Sequence, residues 1–167
     1  QTETPFPDRP NQLIDFDMEG FCKDHRIRYV KLDGWEDQHA PLFGMEADPK
    51  PPDVFLTCIA KIIPASFISG RIIINAHPGL LPENRGVDAF KRAIINGWPI
   101  GASIHVIDEV IARGTLLHRM RIPVFTDDTF QDVARRAYEM ECELQANFED
   151  YLSGMHKTMR IADRYPL

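Results

Sequence analysis

The run Ile72-Ile73-Ile74 breaks off into Asn75-Ala76-His77-Pro78-Gly79, and this junction restricts the fold more than any other stretch of the chain. Three consecutive β-branched residues favour an extended, buried strand. Side chains on an extended chain alternate faces, so Asn75 and His77 point the same way. Pro78 biases His77 toward extended backbone, and Gly79 permits an abrupt change of direction. The strand therefore ends by aiming an amide and an imidazole into one space.

The flanking sequence supplies the rest of a layered fold. Residues 54–59 (VFLTCI) read as a short apolar strand and 64–69 as a short helix with Pro64 at its start. A helix over 87–96 is ended by Gly97, and 102–107 and 115–123 read as two further strands. Asp128 and Thr129 cap an amphipathic helix over 130–152, with Val133, Ala137, Met140, Leu144 and Phe148 along one stripe. Upstream, 13–26 reads as a helix, 27–32 (IRYVKL) as an alternating strand, and 33–52 as a proline-broken loop. This gives a loop or arm over 1–12, one domain over 13–152 and a C-terminal extension over 153–167. Alternating strands and helices imply an α/β sheet, parallel at first, with helices on both faces. The short connection between the strands at Ala102 and Thr115 leaves room for an antiparallel pair. Ligands of such sheets sit beyond the carboxyl ends of the strands, where Asn75 and His77 fall.

Composition narrows the function. The 167 residues suffice for one domain with a core, and 44% hydrophobic with 26% charged residues is an ordinary globular mixture. A formal net charge of −6 argues against a nucleic-acid partner, although Arg113, Arg119 and Arg121 form a local basic group. Cys22, Cys58 and Cys142 have no paired spacing and read as reduced thiols. His25, His39, His118 and His156 share no metal-ligand spacing, so no metal is expected. There is no apolar run of membrane-span length and no signal-peptide pattern, and the expected location is the cytoplasm.

Two readings of Asn75 and His77 are open on spacing alone. They can form an acyl-transfer site, the amide polarising a carbonyl and the imidazole moving a proton, or they can cap the strand and tie down the loop. His105, in SIHVID, lies on the strand face opposite Ile104 and Val106, as a catalytic or a structural histidine. Asp108 and Glu109 can hold water or act as bases, or simply form a solvated turn.

The stretches VFLTCIAKIIP, INAHPGLLPENRG, AIINGWPIGASIHVIDE, the glycine of ARGTLL, and PVFTDDT with its following helix resemble the formyltransferase family that uses 10-formyltetrahydrofolate. That family includes glycinamide ribonucleotide, methionyl-tRNA and nucleotide-sugar N-formyltransferases. The resemblance implies a single Rossmann-like, three-layer domain with a mainly parallel twisted sheet. The family's usual first strand-helix-strand is not expected within this sequence. The resemblance also implies that Asn75 and His77 are catalytic and that 10-formyltetrahydrofolate is the co-substrate. The folate would lie between two loops, one carrying Ala60, Lys61, Ile62 and Ile63, the other Ile107, Asp108, Glu109 and Ile111. His105 and Arg85 are expected at the acceptor.

One residue departs from the family pattern. Ala112 stands at the catalytic position where relatives carry an aspartate that organises proton transfer. The expected activity is formyl transfer to a small amine, with an amino sugar nucleotide favoured. Glycinamide ribonucleotide, hydrolysis of the formyl group, and a folate-binding homologue without catalysis are the alternatives. The expected partners are the amine and the folate, with no nucleic acid and no membrane, and a homodimer is left open.

Overall fold

The computed structural model describes residues 16–31, 54–58, 63–108, 114–154 and, for their backbone, 159–160. The chain divides into two compact units: Asp8–Pro52 forms one, and Gln1–Pro7 with Asp53–Leu167 the other.

In the smaller unit, helix α1 spans Met18–Asp24 and starts at Asp17, whose side chain accepts from the Gly20 N–H at 2.8 Å. The ring of Phe21 stacks on His25 at 4.1 Å between centroids. The strand expected over 27–32 is not formed across its described part. Residues 27–31 belong to no ladder among the described residues and are exposed. Alternation provides two faces, but a strand also needs a partner for its backbone, and the pattern says nothing about one.

The larger unit runs β1 (Val54–Thr57), α2 (Ala65–Ile68), β2 (Ile72–His77), α3 (Ala89–Ile95), β3 (Gly101–Val106), β4 (Thr115–Arg121), α4 (Phe130–Ala146), α5 (Phe148–Ser153) and β5 (Met159–Arg160). The five strands lie in sequence order, β1-β2-β3-β4-β5. The α/β class follows the expectation, and so does the parallel start, with β1 against β2. Beyond that pair the sheet is mixed: β2–β3, β3–β4 and β4–β5 are antiparallel. The sheet is therefore not mainly parallel among the described strands. A connection as short as the one joining β3 to β4 suits a reversal and cannot carry a parallel crossover.

The strand faces divide the work. Ile74 of β2 and Ala102 and Ile104 of β3 point to one side, where Leu144 of α4 closes over them; all four are fully buried. A second cluster joins Phe90 and Ala93 of α3 to Val133, Ala134 and Ala137 of α4. Helix α4 starts with a reciprocal cap, Thr129 bonding the Asp132 N–H and Asp132 the Thr129 N–H. The single helix expected over 130–152 is broken at Asn147, which leaves helical geometry at φ −101° and ψ 26°. The Asn147 side chain donates to the Glu143 carbonyl at 2.8 Å, competing with the backbone ladder.

Candidate active site

The face opposite Ile74 and Ile104 is apolar at Ile73, which pairs with Phe55, and turns polar toward the carboxyl end of β2. Parallel register sets Thr57 beside Asn75, and antiparallel register sets His105 opposite Asn75 and Ser103 opposite His77. Cross-strand neighbours on one face are within side-chain reach. Thr57, Asn75, His77, Ser103 and His105 thus converge because each falls at the right parity on a neighbouring strand.

The contacts are specific. The Thr57 hydroxyl donates to Asn75 Oδ1 at 3.1 Å, and Asn75 Nδ2 faces His105 Nε2 at 3.4 Å. His77 Nε2 lies 2.9 Å from the Asn84 carbonyl oxygen. That oxygen can only accept, so Nε2 carries the proton and Nδ1 of the neutral ring is the basic nitrogen. Burial lowers the pKa of His77, the Arg92 guanidinium lowers it further, and the Asn84 bond works in the other direction. Burial, helped by the neighbouring His77, brings His105 down to about 4. Both imidazoles are neutral near pH 7. They can accept or relay a proton, and an amine attacking beside them meets no fixed positive charge from the rings.

The loop after His77 is held by groups that sequence reasoning missed. The Ser103 hydroxyl donates to the Gly79 carbonyl at 2.7 Å and accepts from the Leu81 N–H at 2.9 Å. Asn84 Nδ2 donates to the Ala89 carbonyl at 2.6 Å, which anchors the residue whose own carbonyl holds His77. Gly79 matters through space and not through a special turn conformation. A Cβ there would lie 2.5 Å from the Asn84 carbonyl oxygen and 2.9 Å from His77 Nε2. The parity of Ser103 with His105 was a usable signal; the anchoring by Asn84 had none.

The remaining expected residues divide by position. Ile63 is buried and Asp108 exposed. Ile107 and Asp108 border a cavity of about 350 Å³ at the amino end of β2, with Ile68, Ile72, Val106 and Gly114 among its walls. Arg85, expected at the acceptor, is partly buried, and its Nε donates to the Pro82 carbonyl at 2.9 Å within its own loop. Ala60, Lys61, Ile62, Glu109, Ile111 and Ala112 lie outside the described residues. A larger cavity of about 630 Å³ between α3 and the start of α4 includes none of the expected residues. Among the described residues no cluster of histidine, cysteine or carboxylate side chains could hold a metal ion. No described helix is long and apolar enough to cross a membrane.

Comparison with known proteins gives a consistent picture. The profile of the family described as Formyl transferase matches residues 36–147. A phosphoribosylglycinamide formyltransferase of Haemophilus influenzae is 32% identical over 95 residues, covering 54% of this chain and 44% of that protein. A dTDP-4-amino-4,6-dideoxyglucose formyltransferase of Mycobacterium tuberculosis is 33% identical over 81 residues, covering 48% of this chain and 35% of that protein. The chain thus spans less than half the length of either. Among solved structures, a 4-N formyltransferase from Francisella tularensis superposes with a TM-score of 0.62 at 26% identity, covering 85% of this chain and 55% of that one.

Proposed function

The chain belongs to the formyl transferase family, and from that premise we propose that its polar strand face transfers a formyl group from 10-formyltetrahydrofolate to an amine. The observation that carries the reading is the convergence of the Asn75 amide with two neutral imidazoles, one held through Nε2 by the Asn84 carbonyl. Asn75 Nδ2 has a second N–H to give to the formyl oxygen as negative charge develops on it. His77 Nδ1 takes the proton released by the attacking nitrogen. A new C–N bond forms, the bond from carbon to the folate nitrogen breaks, and the proton passes to that nitrogen. The cavity beside Ile107 and Asp108 includes two residues of one expected folate loop, with apolar Ile68, Ile72 and Val106 and charged Arg71 among its other walls.

The acceptor in this reading is an amino sugar nucleotide, with phosphoribosylglycinamide as the alternative; similar proteins bear names of both kinds. Ala112 occupies the position of the family's aspartate, so the parent rate is expected to be low and limited by proton transfer. The test is tetrahydrofolate release by the parent and Ala112→Asp chains, with each amine and with none. Acceptor-dependent release that rises about a hundredfold or more in the aspartate variant supports the reading. Release that ignores the acceptor shows hydrolysis instead, and no release by either chain overturns the proposal.

A further inference from the structure

We propose that Asn84 is a positioning residue for His77. Its side chain ties the loop after β2 to the first residue of α3. That tie holds in place the backbone carbonyl that keeps the His77 proton on Nε2 and leaves Nδ1 free to act as the base. The consequence for rate rests on the formyl-transfer reading, whereas the positional claim rests on geometry alone.

Neither bond is open to a second assignment. A backbone carbonyl oxygen only accepts, so the His77 nitrogen 2.9 Å from the Asn84 oxygen is the protonated one. The Asn84 side chain meets the Ala89 carbonyl oxygen at 2.6 Å, and only the N–H end of the amide can face it. Space also has a part. A Cβ at Gly79 would lie 2.5 Å from the Asn84 oxygen, so the glycine leaves room for that carbonyl. Room alone does not hold it there. The Asn84 N–H donates to the Leu80 carbonyl at 2.8 Å, which closes a turn inside the same loop. At the surface Arg92 bonds the carbonyl of Arg85, one residue further on. The buried link from the His77 acceptor to the helix is the Asn84 side chain, in a residue only 4% exposed. Helix α3 is a firm anchor, because Phe90 and Ala93 pack with Val133, Ala134 and Ala137 of α4.

The side chain does little for stability. Its Nδ2 bond is accompanied by an Oδ1 that is shielded from solvent and has no hydrogen-bond partner among the described residues. A buried acceptor left unsatisfied offsets much of what the donor contributes. What the tie supplies is direction. In Asn84→Ala the loop keeps its turn, but its carbonyl is no longer drawn onto Nε2. The ring then shares its proton between two nitrogens, and Nδ1 is bare only part of the time. The same carbonyl favours the protonated ring, against burial and the Arg92 guanidinium, so its loss makes His77 a weaker base. Both changes hinder passage of the amine's proton to Nδ1.

The experiment is ¹⁵N NMR of the His77 ring in the parent, Asn84→Ala and Asn84→Asp chains, alongside thermal stability and kcat and KM for formyl transfer. Asn84→Asp keeps the shape of the side chain but offers the Ala89 carbonyl no N–H. Near pH 7 the parent is expected to hold the proton on Nε2, and both variants to populate the two tautomers. The alanine chain leaves Arg92 and His105 in place beside the ring, and its His77 should titrate below the parent's. Its kcat falls about tenfold to a hundredfold, with KM little changed and the melting temperature close to the parent's. A parent protonated on Nδ1 overturns the inference, and so does an alanine variant that keeps the parent's tautomer and titration or no longer folds. An aspartate variant indistinguishable from the parent overturns it too, since shape alone would then suffice. If no chain transfers a formyl group, the NMR result still decides the role of Asn84, and the missing activity counts against the formyl-transfer reading alone.

Discussion

The two faces of β2 and β3 are built from alternate residues of the same strands, yet they answer to different physics. On one side Ile74, Ala102 and Ile104 meet Leu144 with no polar atom to satisfy, and packing alone stabilises them. On the other, Thr57, Asn75, Ser103 and His105 are held by directed bonds. The first face tolerates apolar residues of about the right volume; the second depends on which atom donates to which. A strand with a period of two can therefore carry a fold on one side and a site on the other.

The comparison breaks most visibly on the apolar side. Ile104 is fully buried, so Ile104→Ala should cost about 2 to 5 kcal/mol in denaturant unfolding. The tautomer of His77, on the opposite face, should not change in the molecules that remain folded. A cost near zero would mean that this side is not close-packed.

Acid sharpens the contrast, because the polar side holds two depressed histidines, His77 and His105, and α4 a raised carboxyl. His105, depressed from 6.5 to about 4, stays neutral in the fold while the unfolded chain takes up a proton. Its contribution is complete above pH 6.5 and is lost as the pH falls to about 4, amounting to about 3 kcal/mol. Glu141 on α4, raised by burial from 4.5 to about 7, acts in the opposite sense: stability declines as the pH rises through that interval. Unfolding free energies of His105→Gln and Glu141→Gln from pH 4 to 7 should therefore deviate from the parent with opposite slopes. Slopes of equal sign would contradict the assignment.

The smallest expected effect is at Ser103, where alanine leaves the Leu81 N–H without its partner. That should cost about 1 kcal/mol of stability. It should also loosen the loop enough to lower the rate more than the melting temperature suggests. A change confined to stability would make Ser103 a structural residue only.

Which parts could be read in the sequence follows from the same division. The parity of Asn75 and His77 is local, and the structure bears it out; His105 joined them because the β2–β3 register happens to match. The antiparallel run from β2 to β5 depends on connections and edge partners that hydrophobic periodicity does not encode. The isolated stretch 27–31 carried the alternation of a strand without a ladder to join. Asn84 was missed because it acts through a backbone carbonyl, which no residue type announces, and Thr57 because its meaning depends on facing Asn75 across a parallel pair.

The most direct test of the polar face as the seat of chemistry is Asn75→Ala, measured for formyl transfer and thermal stability in the same preparation. The account predicts a loss of about a hundredfold or more in rate, with the melting temperature close to the parent's. Unchanged transfer, or a fall in rate that merely follows unfolding, would contradict it.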